Sequence, residues 1–292
     1  MLRVRTILGN EQRLDGGACF GNAPRAVWSR WCPPDDRNRI VLACRCLLVE
    51  DGCRRVLVET GVGAFFDPKL QERYGIQGGG HRLLHGLERC GFGDGDIDVV
   101  VLSHLHFDHA GGLLAAYRDG EKHRLLFPNA RFVVSRAALG RARSPHPRDR
   151  ASYVADLPDL LEASGRLVII ENAQRPEDVL DERYRFISSD GHTPGMLLTE
   201  VVGTSCRVLY CADLIPGVPW MHLPITMGYD RYPEKLVDEK RAVLQGALER
   251  GTWLAFCHDP ATALATVKRD ERGRFGPEVS RDDAAAVLDL DG

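Results

Sequence analysis

No stretch of this chain holds the roughly 18 consecutive apolar residues that a helical membrane span requires, and the opening Met1–Asn10 lacks the apolar core of a secretory leader. A membrane or exported protein is therefore not expected. Charge of one sign is also missing. Lysine and arginine number 38 against 41 aspartates and glutamates, a formal net charge of −3, which leaves no global basic field for nucleic acid or an anionic membrane. The nine cysteines are an odd number with no C-x-x-C pair, so neither a disulfide framework nor a zinc ribbon is predicted. Cys44 and Cys46 read as small buried hydrophobes, and the setting as the reducing cytoplasm. No internal repeat is visible. What is present is bulk: 292 residues at 44% hydrophobic suffice for one large core, read as a single domain over residues 1–292.

The chemistry concentrates in Ser103 to Gly112, S-H-L-H-F-D-H-A-G-G, where His104, His106, Asp108 and His109 fall within six positions. Upstream, Ile97 to Leu102 is a short β-branched run that reads as a buried strand. Downstream, Leu113 to Tyr117 reads as a helix. The four polar residues thus occupy the turn leaving the carboxyl end of a strand, where open α/β sheets place their sites. Side chains two apart on an extended segment share a face, so His104 and His106 can share one metal ion. Asp108 and His109 must diverge toward a second position. Imidazole with carboxylate suits zinc (Zn2+), and also iron, manganese or cobalt.

H-x-H-x-D-H is the signature of the metallo-β-lactamase-fold hydrolases, and L-S-H-L-H-F-D-H-A-G-G resembles their N-acyl homoserine lactonase branch. The resemblance spans roughly residues 40 to 260. It implies an α/β four-layer αββα sandwich, which the order of strands and helices, repeated twice, also fits. It demands further ligands at later strand ends, and His192, Asp213 and His258 each follow an apolar run in the required order. By resemblance His104, His106 and His192 hold one metal ion, Asp108, His109 and His258 a second, and Asp213 bridges them. Two such ions share a water and lower its pKa toward neutrality, supplying hydroxide, with Asp108 orienting it and carrying its proton. The implied activity is hydrolysis of a small-molecule ester, lactones first; phosphoester or phosphotriester hydrolysis and thioester hydrolysis are the alternatives. Ser103 has no G-x-S-x-G around it and reads as support for His104. His106 excludes the flavin-linked branch, which carries Glu there.

Three positions depart from the family pattern. Glu59 stands where Asp-Thr-Gly is usual and receives no definite role. Met196 follows G-H-T-P-G in place of a histidine. Pro216 occupies the position of the lactonase tyrosine, three residues after the bridging aspartate. Tyr229 is the nearest replacement on the same loop, as a catalytic hydrogen-bond donor, with His222 as another candidate. The loop from Leu214 to Tyr232 offers Trp220, Met221, Leu223 and Met227 as lining for an acyl chain or, alternatively, as a homodimer contact.

The remaining readings are structural. Ile40 to Glu50 is predicted as one strand and Asp51-Gly52 as its hairpin turn. Gly61 and Gly63 let the backbone pass close to the site. Gly78-Gly79-Gly80 precede a helix on which His81 and His85 form an exposed polar face. Arg141, Arg143, Arg148 and Arg150 belong to a helix end and loop, read as solvated or as a lid that greets an anionic substrate. A helix spans about Glu234 to Glu249, Thr266 to Phe275 form a hairpin, and a short helix follows Glu278.

Overall fold

β-Branched and leucine-rich runs become strands because such side chains pack well on a pleated surface. The computed structural model describes residues 1–52, 54–281 and 287–292. The first half contains β1 (Leu2–Leu8), β2 (Gln12–Asp15), β3 (Arg39–Leu42), β4 (Arg45–Asp51), β5 (Arg54–Val58), β6 (Val99–Val101), β7 (Arg131–Ser135) and β8 (Leu167–Ile170). The second contains β9 (Tyr184–Ser189), β10 (Met196–Val202), β11 (Arg207–Tyr210), β12 (Trp253–Ala255), β13 (Leu264–Arg269), β14 (Phe275–Arg281) and β15 (Val287–Asp289). The helices are α1 (Gly16–Phe20), α2 (Arg25–Trp28), α3 (Pro68–Tyr74), α4 (Arg82–Arg89), α5 (Phe107–Ala110), α6 (Arg136–Arg143), α7 (Leu157–Ala163) and α8 (Pro233–Arg250). Among the described residues none is long and apolar enough to cross a membrane.

Two sheets result, β15-β1-β4-β5-β6-β7-β8 and β14-β13-β12-β11-β10-β9, with β2-β3 as a separate ribbon. Alternation along the strands sets the layers. Val56, Val58, Val99 and Val101 pack with Leu198, Val208 and Leu254 of the second sheet, whereas Leu57 and Val100 pack against Leu83 and Leu87 of α4 and Leu139 of α6. Leu236, Val243 and Leu244 of α8 cover the second sheet from outside. The order is helices, sheet, sheet, helix: the expected αββα sandwich. Strands β5 to β8 run parallel, as do β11 and β12.

Four expectations are corrected. The predicted strand over Ile40 to Glu50 is broken at Ala43-Cys44, because those carbonyls turn aside, Ala43 O to accept from His258 Nδ1 (2.7 Å) and Cys44 O from Gly9 N (2.9 Å). Leu113 to Tyr117 is not a helix. The helical turn begins earlier, at Phe107, passes through a 3-10 turn over Gly111–Leu113, and Leu114 then bridges Leu125. Gly112 dictates that path, since a Cβ there would meet Thr60 O at 2.0 Å. Asp15-Gly16-Gly17 and Phe20-Gly21, which as a sequence read as a glycine-rich turn, instead bound a short helix, α1, capped by Asp15, whose Oδ1 accepts from Ala18 N (2.8 Å). After Glu278 the chain continues in β14 to Arg281, and β15 then pairs antiparallel with the open edge of β1. Of the helix expected there, residues 282–286 lie outside the described residues. The hairpin near Thr266 is present as β13-β14, and α8 matches its expected span within a residue.

Candidate metal centre

The polar residues singled out in the sequence come from the carboxyl ends of strands in both sheets. His104, His106, Asp108 and His109 follow β6, His192 follows β9, Asp213 follows β11 and His258 follows β12. All but Asp108 are buried. His104 Nε2 lies 2.9 Å from His106 Nδ1, and His192 Nε2 lies 3.3 Å from the same atom. Asp213 faces them with Oδ2, 3.1 Å from His192 Nε2. Its other oxygen, Oδ1, lies 3.3 Å from His109 Nε2 and 3.1 Å from His258 Nε2. Asp108 Oδ2 completes that second group, 3.6 Å from His258 Nε2. The donor atoms of His104, His106, His192 and Asp213 lie within 4.8 Å of one another, as do those of Asp108, His109 and His258.

Four of the five imidazoles are held from behind, while the far nitrogen of His106, Nε2, is buried without a hydrogen-bond partner. His109 Nδ1 donates to Glu59 Oε2 (2.9 Å), His192 Nδ1 to Asp230 Oδ1 (2.9 Å), and His258 Nδ1 to Ala43 O (2.7 Å). Donation at Nδ1 leaves the Nε2 lone pair facing the centre, the tautomer a metal ligand needs. Ser103 Oγ lies 2.9 Å from His104 Nδ1, in the supporting position expected of it. Gln12 Nε2 donates to Asp108 Oδ2 (2.6 Å). Glu59, left without a role in the sequence, is thus a buried brace, and its Oε1 also accepts from Ser103 N. Asp230 and Gln12 went unnoticed because nothing in the local pattern marks them; Asp230 is an ordinary acid in a loop. Two non-glycine residues beside the centre, Glu59 (φ 68°) and Ala212 (φ 44°), adopt left-handed backbone. Such strain persists only where the surroundings over-determine it. Gly63 is also left-handed, and a Cβ on it would lie 2.7 Å from Gly112 Cα, so the close passage expected at this loop is real.

The electrostatics fit a cation. Burial and neighbouring imidazoles push His104 and His106 well below the usual histidine range. Burial likewise opposes charge on His109 and His258 but is outweighed, at His109 by Asp213, Asp108 and Glu59 and at His258 by Cys257 and then Asp213. Burial would raise Asp213, yet His109, His258 and His192 hold it well below the carboxylate range. His109 Nε2 is buried without a hydrogen-bond partner. Five imidazoles and two carboxylates with converging lone pairs match the donor preference of zinc and its neighbours.

The other candidates divide. Tyr229 is 41% exposed, and partial burial, with Cys19 and Asp108 adding, pushes its phenol above the ordinary range. His222 stacks on Trp31 (5.2 Å), with Arg274 and Lys240 near it. Trp220 and Met221 are buried in the core, Trp220 being stacked on Phe20 at 4.5 Å between ring centres. Of the loop's aromatic residues, Trp220 packs against the amino-terminal segment, while Tyr229 and Tyr232 stay exposed. Pro216 offers its carbonyl to His258 N (2.9 Å), and Met196 is core. His81 is not an exposed face residue. It is buried and caps α4, its Nε2 donating to Gly112 O (3.0 Å), while His85 is exposed. Of the four arginines, Arg141 pairs with Asp149 (2.6 Å) and Arg143 with Glu162 (2.5 Å). Next to the motif, Phe65, Phe66, Phe107, Tyr117, Tyr153 and Val154 line a cavity of about 220 Å³. The Tyr153 ring lies 4.8 Å from that of His106.

Comparison with known proteins agrees with this geometry. The family model described as Metallo-beta-lactamase superfamily matches residues 39–258. A probable metallo-hydrolase of Mycobacterium tuberculosis is 29% identical over 244 residues, covering 76% of this chain and 73% of that protein. The solved structure of a probable metal-dependent hydrolase from Staphylococcus aureus superposes with a TM-score of 0.84 at 23% identity, covering 96% of each chain. That of AidC, a dizinc quorum-quenching lactonase bound to its product N-hexanoyl-L-homoserine, gives 0.72 at 21% identity, covering 95% of each. At such identities the two structures share this fold.

Proposed function

We propose that this chain, which belongs to the metallo-beta-lactamase superfamily and is a metal-dependent hydrolase, opens lactones that carry an apolar acyl chain, with two divalent ions, zinc first, in one centre. The observation that carries this reading is the split carboxylate of Asp213, whose two oxygens face two separate groups of imidazoles. His104, His106 and His192 would hold one ion, Asp108, His109 and His258 the other, and Asp213 both. Bound divalent ions supply Lewis acidity, polarising a carbonyl and making hydroxide available near neutral pH.

The chain's own residues do the rest. Glu59, Ser103, Asp230 and the Ala43 carbonyl keep the imidazoles aimed, so little reorganisation accompanies reaction. Asp108 is less buried than the other donors and has one oxygen tied to Gln12. In this reading its Oδ1 takes the proton of the attacking water and returns it to the leaving alkoxide. The Tyr229 phenol stays protonated at neutral pH and can donate to the carbonyl or leaving oxygen. The aromatic cavity between Phe65 and Val154 takes the acyl chain. The free thiols of the eight described cysteines suit a reducing cytoplasm.

Two measurements test this. Elemental analysis after reconstitution is expected to find two equivalents of metal per chain; a stoichiometry fixed at one removes the bridged centre. A panel of lactones, thioesters and phosphotriesters is expected to give the highest kcat/KM for acyl-bearing lactones. A higher value for phosphotriesters overturns the substrate class while leaving the hydrolase.

A further inference from the structure

One residue beyond Asp230, the carboxylate behind His192, stands Arg231. Its backbone N–H donates to His192 O (3.1 Å), so its position is tied to that of a proposed ligand. Its Nε is buried with no hydrogen-bond partner, and among the described residues its guanidinium has no carboxylate partner. It leans on the Tyr232 ring, 5.8 Å away, and walls an open groove of about 580 Å³.

Arg148 forms the other wall. Its loop is clamped by the ion pair of Arg141 with Asp149, made through both Nε (2.9 Å) and Nη2 (2.6 Å). Arg148 Nη2 donates to Gly228 O (2.6 Å), joining this loop to the one that carries Tyr229. Arg148 likewise has no carboxylate partner among the described residues. The floor is made by Gly17 and Gly21, with Asn22 and Met227 beside them. Gly21 is required there: its φ is 45°, and a Cβ would meet Thr226 O at 2.7 Å.

Asp230 supplies the carboxylate lining the groove, and both its oxygens are engaged, Oδ1 with His192 Nδ1 (2.9 Å) and Oδ2 with Met227 N (2.6 Å). It offsets one positive charge at most, so a groove lined by two arginines and one carboxylate keeps a net positive charge, and guanidinium forks match the two oxygens of a carboxylate. The groove adjoins the metal centre: Asp230, which lines it, holds His192 (2.9 Å), and Tyr229 stands between Asp230 and Gly228. Two cations, on a chain of net charge −3, suit a small molecule and not a polyanion.

We propose that the groove between Arg148 and Arg231 is an anion subsite that binds a carboxylate at the distal end of a substrate whose ester is cleaved at the metal centre. The inference rests on the hydrolase reading above and narrows it to esters and lactones bearing an acid.

The test uses the metal-loaded protein and matched aryl esters: a neutral pentanoate, the glutarate monoester with its terminal carboxylate, and an analogue ending in a phosphonate. The glutarate ester is expected to exceed the pentanoate in kcat/KM by about tenfold, the scale of one good charge-assisted contact. Arg231→Gln and Arg148→Gln should each shrink that ratio severalfold, mainly through KM. A ratio near one in the unaltered protein, or one unchanged in both variants, overturns the subsite. A preference for the phosphonate overturns the carboxylate assignment in favour of a phosphate group. Calorimetry with free glutarate separates this proposal from the function it rests on. If all esters are inert but glutarate binds, and binds about tenfold more weakly to either variant, the hydrolase reading fails and the subsite stands. Glutarate that binds all three proteins alike and is released by a chelator belongs to the metals, and the subsite falls. Arg148 is exposed on its loop, so its variant remains informative if Arg231→Gln fails to fold.

Discussion

The two sheets contribute to the metal centre in different ways. The first delivers four donors from one short segment, His104 to His109, braced from within its own half. Thr60 bonds the His109 carbonyl through both N and Oγ1 (2.9 Å each), and Glu59 reaches His109 and Ser103 together. The second sheet delivers three donors from three separate strand ends, and their supports come from both halves. His192 depends on Asp230 in a loop, and His258 on Ala43 of the facing half. One half is a prebuilt turn; the other is an assembly that exists only once the sandwich closes. Asp213 is the atom-level joint between them.

Cutting that joint should have the largest effect. Asp213→Ala is expected to lower kcat/KM by orders of magnitude and to reduce bound metal below two equivalents, because both proposed ion positions lose a donor at once. Metal analysis and single-turnover kinetics on the same sample check it. Full metal content with retained turnover would mean the halves work independently.

This division also decides what was legible beforehand. His104, His106, Asp108 and His109 announce themselves, since donors adjacent in sequence on a strand-end turn need no tertiary information. His192, Asp213 and His258 were legible only as an ordered set behind apolar runs, because each alone is an ordinary polar residue at a strand end. The layering was legible in the order of strands and helices, repeated twice along the chain. The supports were not. Asp230 gains its meaning from the distance to His192, which no local pattern encodes, and the left-handed backbone of Glu59 is invisible in a side-chain string. The helix expected at Leu113 failed for a related reason: Gly112 is pressed against Thr60, a contact between segments fifty residues apart that outweighs helix propensity.

Tyr229 belongs to the assembled half and should give the next largest effect. Tyr229→Phe removes a single donor and is expected to lower kcat and kcat/KM alike by about 10- to 1000-fold, with metal content unchanged. Stopped-flow measurement against a preferred lactone separates this from a binding role, which would raise KM alone.

The braces come next and set the halves directly against each other. Glu59→Gln and Asp230→Asn each replace a carboxylate behind an imidazole by an amide of the same shape. Each should weaken metal affinity or activity by about 10- to 100-fold, read by chelator competition. The ions should respond differently. Glu59→Gln should loosen the ion near His109 and His258, and Asp230→Asn the ion near His104, His106 and His192. Identical loss of both ions from both variants would show that the centre behaves as one unit and erase the distinction between halves.

The smallest effect concerns His81, which props the prebuilt half without touching a proposed ligand. Its Nε2 donates to Gly112 O, so Nδ1 is the acceptor that caps α4 at Leu84 N; the ring must be neutral to do both. His81→Ala removes the cap and leaves a buried carbonyl unpaired, a loss of about 1–3 kcal/mol in urea unfolding at pH 7.5. His85→Ala, on the exposed side of the same helix, should stay within about 0.5 kcal/mol. Burial, opposed by the Gly112 carbonyl, holds His81 below the ordinary histidine value. The unfolded chain therefore takes up a proton here first, as pH drops below about 6.5, and the native state loses stability over that range. The alanine variant has no such group to titrate. Its deficit relative to the unaltered protein should accordingly shrink between pH 7.5 and pH 5.5, while metal loss at low pH weakens both proteins together and cancels in the difference. A deficit that grows on acidification would mean His81 is charged in the native state, and the turn it supports would then owe its position to the glycine contacts alone.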